Sequence, residues 1–353
     1  MKDNKAWTVF LIAAISVAVL VSAPFFGVER ITPGMALRDG ISGVKADIFW
    51  NIRVPRIIAA FVAGAALALS GMTFQAMFRN PLATPFTLGV SSGAAFGATL
   101  YIHLGAPLLV LGLPGQSLSA FAWSVAAILL VYGLTRARRG FSTATMLVSG
   151  VAVNFLFSSV ILFMQYLSDF DNSFRMVRWL MGGFEIVGYE PVYSLAAFVV
   201  PGSLIVFMSL KELNLFTLGE DMAAGRGMNV DRIRALLFFA TSLMVGGVVA
   251  VCGPIGFIGM MSPHICRLFT GANHRYLAPA TVMFGGAFLV FCDTIARTLI
   301  APAEIPVGVI TALLGGPFFL WLLVAGFSEA GLTGRRAFAG RDRHGEEDGG
   351  GKG

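Results

Sequence analysis

Ten apolar segments of about membrane-spanning length run through the 353-residue sequence, and they constrain its fold more than any other feature. An α-helix needs about 20 predominantly apolar residues to cross a bilayer. Only 12% of the residues are charged, whereas a soluble protein carries about a quarter. The sequence therefore predicts an all-α integral membrane protein. The segments cover residues 8–26, 53–73, 86–104, 118–135, 143–165, 192–210, 235–252, 254–269, 277–299 and 307–326.

The number of spans is about ten, because only Cys252, Gly253 and Pro254 separate the seventh segment from the eighth. The first segment follows two lysines and lacks a small-residue cleavage pattern before Pro24. It is therefore predicted to be a retained helix and not a secretory signal peptide.

Lysine and arginine predict the orientation, because cytoplasmic loops of membrane proteins are enriched in both. With the N-terminus inside, seventeen of the 25 lysines and arginines lie in inside segments and eight lie outside. We therefore expect both termini in the cytoplasm. The same bias accounts for the net charge of +6, so no nucleic-acid partner is predicted.

The apolar segments belong to one predicted transmembrane domain, residues 1–330. From about residue 331 the sequence reads GLTGRRAFAGRDRHGEEDGGGKG, with many glycines and charges and almost no large apolar side chain. Such a composition buries too little apolar surface to offset the entropy of ordering. Residues 331–353 are predicted to be a disordered cytoplasmic tail.

No catalytic residue set is evident in the sequence. It has no GxxxxGK[ST] phosphate-binding loop, so we do not expect this chain to bind and hydrolyse ATP by itself. The three cysteines, Cys252, Cys266 and Cys292, lie in or beside apolar segments without a CxxC pair. This arrangement favours packing roles over a disulfide or a metal site.

Residues 211–234, KELNLFTLGEDMAAGRGMNVDRIR, form a polar cytoplasmic segment with its own pattern. Leucines and methionines alternate with charges, and three glycines offer breaks. A pair of short helices under the membrane fits this pattern. The segment either rests on lipid as an amphipathic helix or forms a docking surface for a cytoplasmic partner.

The second apolar segment carries Arg53 and Arg56 at its outer end and Asn80-Pro81 at its inner end. A third outer arginine, Arg297, lies on the ninth segment, where it can pair with Asp293 four residues earlier. Arginine suits bidentate capture of a carboxylate, although snorkelling into headgroups is the alternative. Pro81 breaks the helix. The backbone at this break either forms a plain helix-terminating turn or lines a water-filled cavity.

Motifs along residues 50–326 resemble the FecCD family of ABC-importer permeases, which move iron–siderophores, haem and vitamin B12. Met260-Met261-Ser262 is a minor departure, since aliphatic residues usually precede the proline at this place in the family. The matching stretches, in family order, are RVPR (53–56), GAALALSGMTFQAMFRNPLATPFTLGVSSGAAFGA (64–98), LGEDMAAGRGMNV (218–230), GPIGFIGMMSPHICRLFTGANHRYLAP (253–279) and DTIARTLIAPAEIPVGVITALLGGPFFLWLL (293–323).

The resemblance implies a type II ABC importer permease fold in a bacterial or archaeal inner membrane. It implies a second copy of the chain, or a related permease, as the dimer partner. A cytoplasmic ATPase that uses ATP and Mg would dock on the loop matching residues 212–228, and this chain would hold no cofactor. The implied coupling residues are Leu218, Gly219, Glu220, Ala223 and Gly227.

The resemblance also assigns expected roles outside the coupling loop. Arg53, Arg56 and Arg297 would bind glutamates of a periplasmic or lipid-anchored substrate-binding protein. Two copies would enclose a central translocation path lined by the fifth and tenth helices of each copy, whose exposed faces would carry Met146, Ser149, Asn154 and Gln165. A cytoplasmic gate would comprise Asn80, Pro81, Leu82, Ser142 and Thr143.

The expected function is therefore that of a permease subunit of an ATP-driven importer for a large metal chelate. Ferric siderophore is expected first because it is the commonest cargo of the family, with cobalamin and haem as alternatives. An ion-coupled secondary transporter is a weaker alternative, because no buried acids stand at the helix breaks. An intramembrane enzyme would need a catalytic pair at membrane depth, and none is apparent.

Overall fold

The computed structural model describes residues 2–35, 42–105, 109–110, 113–137, 143–322 and 324. Within this part of the chain nearly all regular structure is helical. A two-residue antiparallel ribbon pairs β1 (Leu109–Val110) with β2 (Leu113–Pro114). The helices are α1 (Lys2–Ser22), α2 (Val44–Asp47), α3 (Val54–Phe78), α4 (Val90–Leu104), α5 (Gly115–Ala137), α6 (Thr143–Leu167), α7 (Phe170–Leu180), α8 (Glu190–Met208), α9 (Leu210–Leu218), α10 (Glu220–Gly225), α11 (Val230–Cys252), α12 (Ile258–Thr270), α13 (His274–Thr298) and α14 (Val307–Leu322).

Each of the ten predicted apolar segments coincides with a helix. Among the described residues, seven helical stretches are long and apolar enough to cross a membrane. The other three, α4, α12 and α14, are shorter. The seventh and eighth segments are separate helices, because α11 ends at Cys252 and the left-handed residues Gly253 and Phe257 precede α12. The spanning stretches are Lys5–Phe25, Val44–Phe78, Gly115–Ala137, Ala144–Leu167, Glu190–Met208, Val230–Cys252 and His274–Thr298.

Helix α3 is the central element, and it is buried on nearly all sides. It packs against α8, α11, α12 and α13. Small residues allow this close approach, as expected in a membrane protein, where packing and not water drives helix association. An added Cβ at Gly71 would overlap the carbonyl oxygen of Gly259, and one at Gly64 would overlap that of Gly285.

Polar and left-handed residues set the ends of the helices that position the site. The side chains of Asn229 and Asn273 accept hydrogen bonds from the first turns of α11 and α13, which satisfies backbone donors there. Helix α3 ends at Phe78, and the next residue, Arg79, is left-handed with φ 50°. Gly219, with φ 111°, separates α9 from α10, so the predicted pair of short helices is present.

The chain divides into two compact units, Met1–Thr311 and Ala312–Gly353. The first contains every element up to the start of α14 and a continuous apolar core. The described residues of the second unit, 312–322 and 324, continue α14. The predicted boundary at residue 330 and the predicted disordered tail lie outside the described residues.

Candidate functional site

A buried ion pair between Arg56 and Asp293 lies where α3 begins and α13 ends. We call this end of the bundle, which contains Arg53, Arg56 and Arg297, the arginine end. Arg56 Nε lies 3.1 Å from both carboxylate oxygens of Asp293, and Nη2 lies 2.9 Å from one of them. Asp293 is 1% exposed and Arg56 is 9% exposed. The remaining guanidinium nitrogen of Arg56 donates to Glu304 at 2.8 Å, and the Glu304 side chain is half exposed.

The other two arginines bind backbone carbonyls that follow α1. Arg53 donates to the carbonyl oxygens of Pro24 at 2.9 Å and Glu29 at 2.5 Å. Arg297 donates to that of Ala23 at 2.9 Å. The predicted pair on α13 forms, since Arg297 Nε lies 3.7 Å from an Asp293 oxygen. Both guanidinium groups are buried, so they tie the chain after α1 to α3 and α13.

The structure thus brings the three predicted docking arginines together, but as buried and internally bound groups. None of them extends from the surface as a snorkelling anchor would. Their binding to a delivery protein stays a prediction. Sequence reasoning missed that Asp293 and Glu304 bind Arg56, because both acids are more than 200 positions away in the chain.

A polar cavity of about 420 Å³ opens beside this cluster. Helix α7, which follows α6, contributes Arg175 and Arg178 to its wall, and Arg56 and Glu304 contribute from the other side. Arg178 pairs with Glu185 at 2.6 Å, and both side chains are exposed. The arginine end therefore presents a polar vestibule of mixed charge above the buried ion pair.

At the opposite end of α3, Asn80 closes a turn. Its side-chain oxygen accepts from the backbone N–H of Leu82 at 2.9 Å, and its carbonyl accepts from Ala83 at 3.1 Å. These bonds satisfy backbone groups that Pro81 would otherwise leave free. Pro81 and Leu82 are exposed. The gate itself stays a prediction.

The structure describes the other two predicted gate residues only in part. Ser142 lies outside the described residues. Thr143 is the first residue of α6, and its side chain is not among those described.

Arg234 of α11 holds the segment of α9 and α10 in place. It is 1% exposed, and its guanidinium lies 2.5 Å from Glu220, the first residue of α10. The same group lies over the ring of Phe216 in α9, at 5.8 Å from the centroid. One buried cation therefore contacts both short helices. Sequence reasoning missed this role, although an arginine placed directly before the apolar run 235–252 was a usable signal.

The other predicted coupling residues occupy both sides of the same segment. Ala223 is buried, whereas Leu218 is half exposed and available to a partner. Gly227, with φ 82°, lets the chain turn from α10 towards α11. Docking of an ATPase on these residues stays a prediction.

The four predicted path residues on α6 do not share one exposed face. Met146 is fully buried, so the expectation that it lies on the exposed face is wrong, because it is on the side of α6 that packs into the core. Ser149 and Gln165 are half buried. The exposed face of α6 instead carries large apolar residues, namely Val148, Val151, Phe155, Leu156, Leu162, Phe163, Tyr166 and Leu167.

Asn154 connects α6 to the turn that precedes α4. Its amide nitrogen donates to the carbonyls of Phe86 at 3.1 Å and Thr87 at 3.3 Å, and its oxygen accepts from Ser92 at 2.7 Å. The side chain also lines a cavity of about 270 Å³ with Phe257 and Met260. Asn154 thus has a positioning role here, and its role in a translocation path stays a prediction.

Comparisons with known proteins place this architecture among transport proteins. The family model described as the FecCD transport family matches residues 10–325. The uncharacterized ABC transporter permease protein YvrB of Bacillus subtilis (strain 168) is 40% identical over 281 residues, 79% of each chain. The hemin transport system permease protein HmuU of Yersinia pestis is 39% identical over 279 residues, 78% of this chain and 83% of that protein.

Two further similarities cover more of the chain. The vitamin B12 import system permease protein BtuC of Salmonella typhi is 38% identical over 323 residues, 92% of this chain and 96% of that protein. A solved structure, described as an inward-facing conformation of a metal-chelate type ABC transporter, superimposes with a TM-score of 0.77 and 32% identity. It covers 92% of this chain and 99% of that one.

Proposed function

The chain belongs to the FecCD transport family, and from this we propose that it is the membrane-spanning permease of an ATP-driven importer for a large metal chelate. The observation that carries the proposal is the family match over residues 10–325 together with the structural match to a metal-chelate type ABC transporter. Two copies of the chain, or one copy with a related permease, would enclose the path. Alternating access would move the cargo inward.

Energy for transport would come from a separate ATPase that docks on α9 and α10. Three features support this site: the helices are short, Leu218 and Met222 are exposed, and Arg234 ties α10 to the spanning helix α11. A displacement of α10 would therefore be transmitted to α11 through the ion pair between Glu220 and Arg234. ATP hydrolysis would remain with the partner.

A substrate-binding protein would dock at the arginine end. Arg53, Arg56 and Arg297 are largely buried, so a docking carboxylate would reach Arg56 by taking the place of Glu304, whose side chain is 50% exposed. Glu304→Gln should therefore strengthen docking, because it leaves one nitrogen of Arg56 without a charged partner. The matched control is Glu185→Gln, which removes the same charge from the same end without touching Arg56.

Affinity of the delivery protein for the detergent-purified permease complex tests this step. We expect the delivery protein to bind the Glu304→Gln permease about tenfold more tightly than the Glu185→Gln permease. This difference corresponds to the free energy of about one charge-assisted hydrogen bond. Equal affinities would show that the delivery protein does not use Arg56.

The second copy of this chain would cover the apolar face of α6. Eight large apolar residues of α6, from Val148 to Leu167, are exposed. Lipid can cover such a face equally well. The dimer is therefore proposed from the family and from the need for two sides of a path, with the α6 face as its proposed position.

The cargo is proposed at the level of its chemical class. The names of two relatives point to hemin and vitamin B12, which are both metal–macrocycle complexes. Ferric siderophore, the cargo expected from the sequence, remains the third candidate. All three are large, so a path lined by side chains such as Ser149 and Gln165 would hold them loosely.

The test is reconstitution of this chain with its cognate ATPase and binding protein in lipid vesicles. Haem, cobalamin and a ferric siderophore are offered in turn, and uptake is measured together with ATP hydrolysis. We expect one of them to be taken up and to stimulate hydrolysis. A partner ATPase with a substituted phosphate-binding lysine should abolish uptake.

An ion-coupled carrier gives the opposite result in the same vesicles. Its uptake would follow an imposed proton or sodium gradient and would persist with the inactive ATPase. That outcome would overturn the proposed function.

A further inference from the structure

A small basic cavity lies at the end of α3 opposite the arginine end. Its volume is about 190 Å³, and Arg79 and Arg267 line it. No acidic residue is among the described residues in its wall. Neither arginine forms an ion pair within 4.0 Å in the described part of the chain. The cavity therefore combines two positive charges with no counter-charge from these residues.

Arg267, in the last turn of α12, is held in the cavity wall by a chain of hydrogen bonds. Its Nη2 donates to the side-chain oxygen of Gln75 at 3.0 Å, and the Gln75 nitrogen donates to the carbonyl of Met260 at 3.3 Å. Gln75 is 4% exposed, so neighbouring atoms restrict its rotation. A neutral amide thus orients a guanidinium group whose charge it does not balance.

The cavity adjoins the segment of α9 and α10. Thr217, the residue before the exposed Leu218 of α9, lines the cavity and is itself exposed. The side-chain oxygen of Asn214 in α9 accepts a hydrogen bond at 3.0 Å from the backbone N–H of His274, another lining residue. Helix α9 is therefore fixed to the cavity wall.

Arg79 connects the cavity to the break between α9 and α10. The residue is exposed. A Cβ placed at Gly219 would lie 3.6 Å from Nη1 of Arg79, so the guanidinium group lies close to this break. The backbone of Arg79 is left-handed with φ 50° and ψ 34°, a conformation that glycine adopts more readily. Residues with other side chains in such conformations are concentrated at functional sites.

We propose that this cavity receives an acidic side chain of the ATPase that docks on α9 and α10, so the inference rests on the proposed function. The carboxylate of that side chain would accept hydrogen bonds from Arg79 and Arg267. Arginine suits this contact, because its planar guanidinium group matches the geometry of a carboxylate. The contact would attach the ATPase to the ends of α3 and α12 as well as to α9 and α10.

Charge and size favour a single carboxylate side chain as the occupant. An anion in the cavity would balance the two arginines. A helix is about 10–12 Å wide and could not enter a cavity of this volume, whereas one side chain of a partner docked on α9 could. An anionic lipid headgroup is the competing occupant, because basic pockets between membrane helices bind such headgroups. The position of the cavity beside α9 favours the ATPase.

The affinity of the cognate ATPase for the full-length permease tests the inference. The permease is placed in nanodiscs of phosphatidylcholine alone, so that no anionic lipid is present, and is titrated with the nucleotide-free ATPase. We expect the ATPase to bind Arg79→Gln about tenfold more weakly than the unchanged chain, which is the effect of losing one charge-assisted hydrogen bond.

The matched control is Arg275→Gln. Arg275 is an exposed arginine in the first turn of α13, and it does not line the cavity. This substitution removes the same charge from the same end of the bundle. The ATPase should bind it like the unchanged chain.

Arg79→Gly is the second variant, because glycine suits the left-handed backbone and the side chain is lost without new strain. The ATPase should also bind this variant about tenfold more weakly. Agreement between the two variants would show that the loss comes from the guanidinium group and not from the backbone.

A double-mutant cycle identifies the acidic partner directly. Each exposed acidic residue on the docking face of the ATPase is replaced in turn by its amide. For one of these residues, the loss of affinity should not add to the loss caused by Arg79→Gln, because both changes remove the same contact. Additive losses at every acidic position would contradict the proposed contact.

Three other results would overturn the inference. The first is equal ATPase affinity for Arg79→Gln and the unchanged chain. The second is an equal loss for Arg275→Gln, since the ATPase would then respond only to net charge. The third is a loss for Arg79→Gln that appears only in nanodiscs containing phosphatidylglycerol, which would assign the cavity to a lipid headgroup.

Leu218→Ala distinguishes this inference from the proposed function. Leu218 is exposed on α9 and does not line the cavity. If Leu218→Ala weakens ATPase binding and Arg79→Gln does not, the ATPase docks as proposed and only the acidic contact is wrong. If the unchanged chain binds no ATPase, the proposed function is overturned together with the inference.

Discussion

Replacing Asp293 with asparagine should strongly destabilise the permease, because this one carboxylate balances two buried cations. Arg56 contacts it through two nitrogens at 2.9 to 3.1 Å, and Arg297 Nε lies 3.7 Å away. All three residues are less than a tenth exposed. Asparagine keeps the size of the side chain and removes only the charge.

The expected cost follows from the burial of the partners. Breaking a buried ion pair by removing one member costs about 3–5 kcal/mol. We expect about 3 kcal/mol, the lower end, because Glu304 remains on the other side of Arg56 at 2.8 Å. Glu304→Gln is the matched control, since its side chain is 50% exposed and solvent screens the pair. It should cost less than about 1 kcal/mol.

Unfolding by SDS in mixed micelles, followed by tryptophan fluorescence, measures both variants. A double-mutant cycle then asks whether the cost of Asp293→Asn comes from Arg56. In the Asp293→Asn background, Arg56→Met should cost about 2 kcal/mol less than in the unchanged chain. Two results would refute the reasoning that the buried pair holds this cluster together. One is an equal loss of stability for Asp293→Asn and Glu304→Gln. The other is additivity of the stability losses caused by Asp293→Asn and Arg56→Met.

Two further predictions concern packing and coupling. Gly71→Ala should lower stability by at least about 1–3 kcal/mol in the same assay, because the new methyl group would overlap the carbonyl of Gly259. Gly133→Ala on α5, with no atom within 4 Å of the added Cβ, should leave stability unchanged or raise it by up to about 1 kcal/mol. Glu220→Gln should lower the cargo transported per ATP hydrolysed about tenfold, since the contact of α10 with Arg234 loses its charge.

Asp231→Asn is the control for the coupling variant. Asp231 also lies near Arg234, but at 3.8 Å and with a 72% exposed side chain. The transport ratio should hardly change. Equal ratios for Glu220→Gln and the unchanged chain, measured in reconstituted vesicles, would show that the ion pair does not transmit the motion of α10.

Local features of the sequence were sufficient to predict the helical segments. Hydrophobic length predicted all ten, because a bilayer admits a spanning segment only if its side chains are apolar and its backbone is bonded internally. Glycine breaks predicted the two short helices around Gly219, since few other residues adopt φ 111°. Pro81 likewise predicted the end of α3 close to its observed position at Phe78.

The family motifs extended the prediction from segments to partners. They indicated an ABC permease, and the match over residues 10–325 confirms the family. Hydropathy alone could not indicate the family. The cargo is not encoded in a comparable local pattern, because motifs that shape the scaffold are shared by permeases for different chelates.

Met146 shows where local reasoning failed. It lies on the same helix as the exposed residues Val148 and Phe155, and all three are apolar. Within a membrane, an apolar side chain is equally compatible with lipid, with a second copy or with the core. Only the packing of α6 against its neighbours decided that Met146 is buried.

The sequence by itself determined the membrane class, the helical segments and the family, since these depend on local apolar length and on contiguous motifs. The tertiary structure alone decided which charges meet. Arg56 and Asp293 are 237 positions apart, and His274 and Asn214 are 60 apart. Electrostatic and hydrogen-bond partners act over a few ångströms of space, and no local pattern specifies which distant segments the packed helices bring within that range.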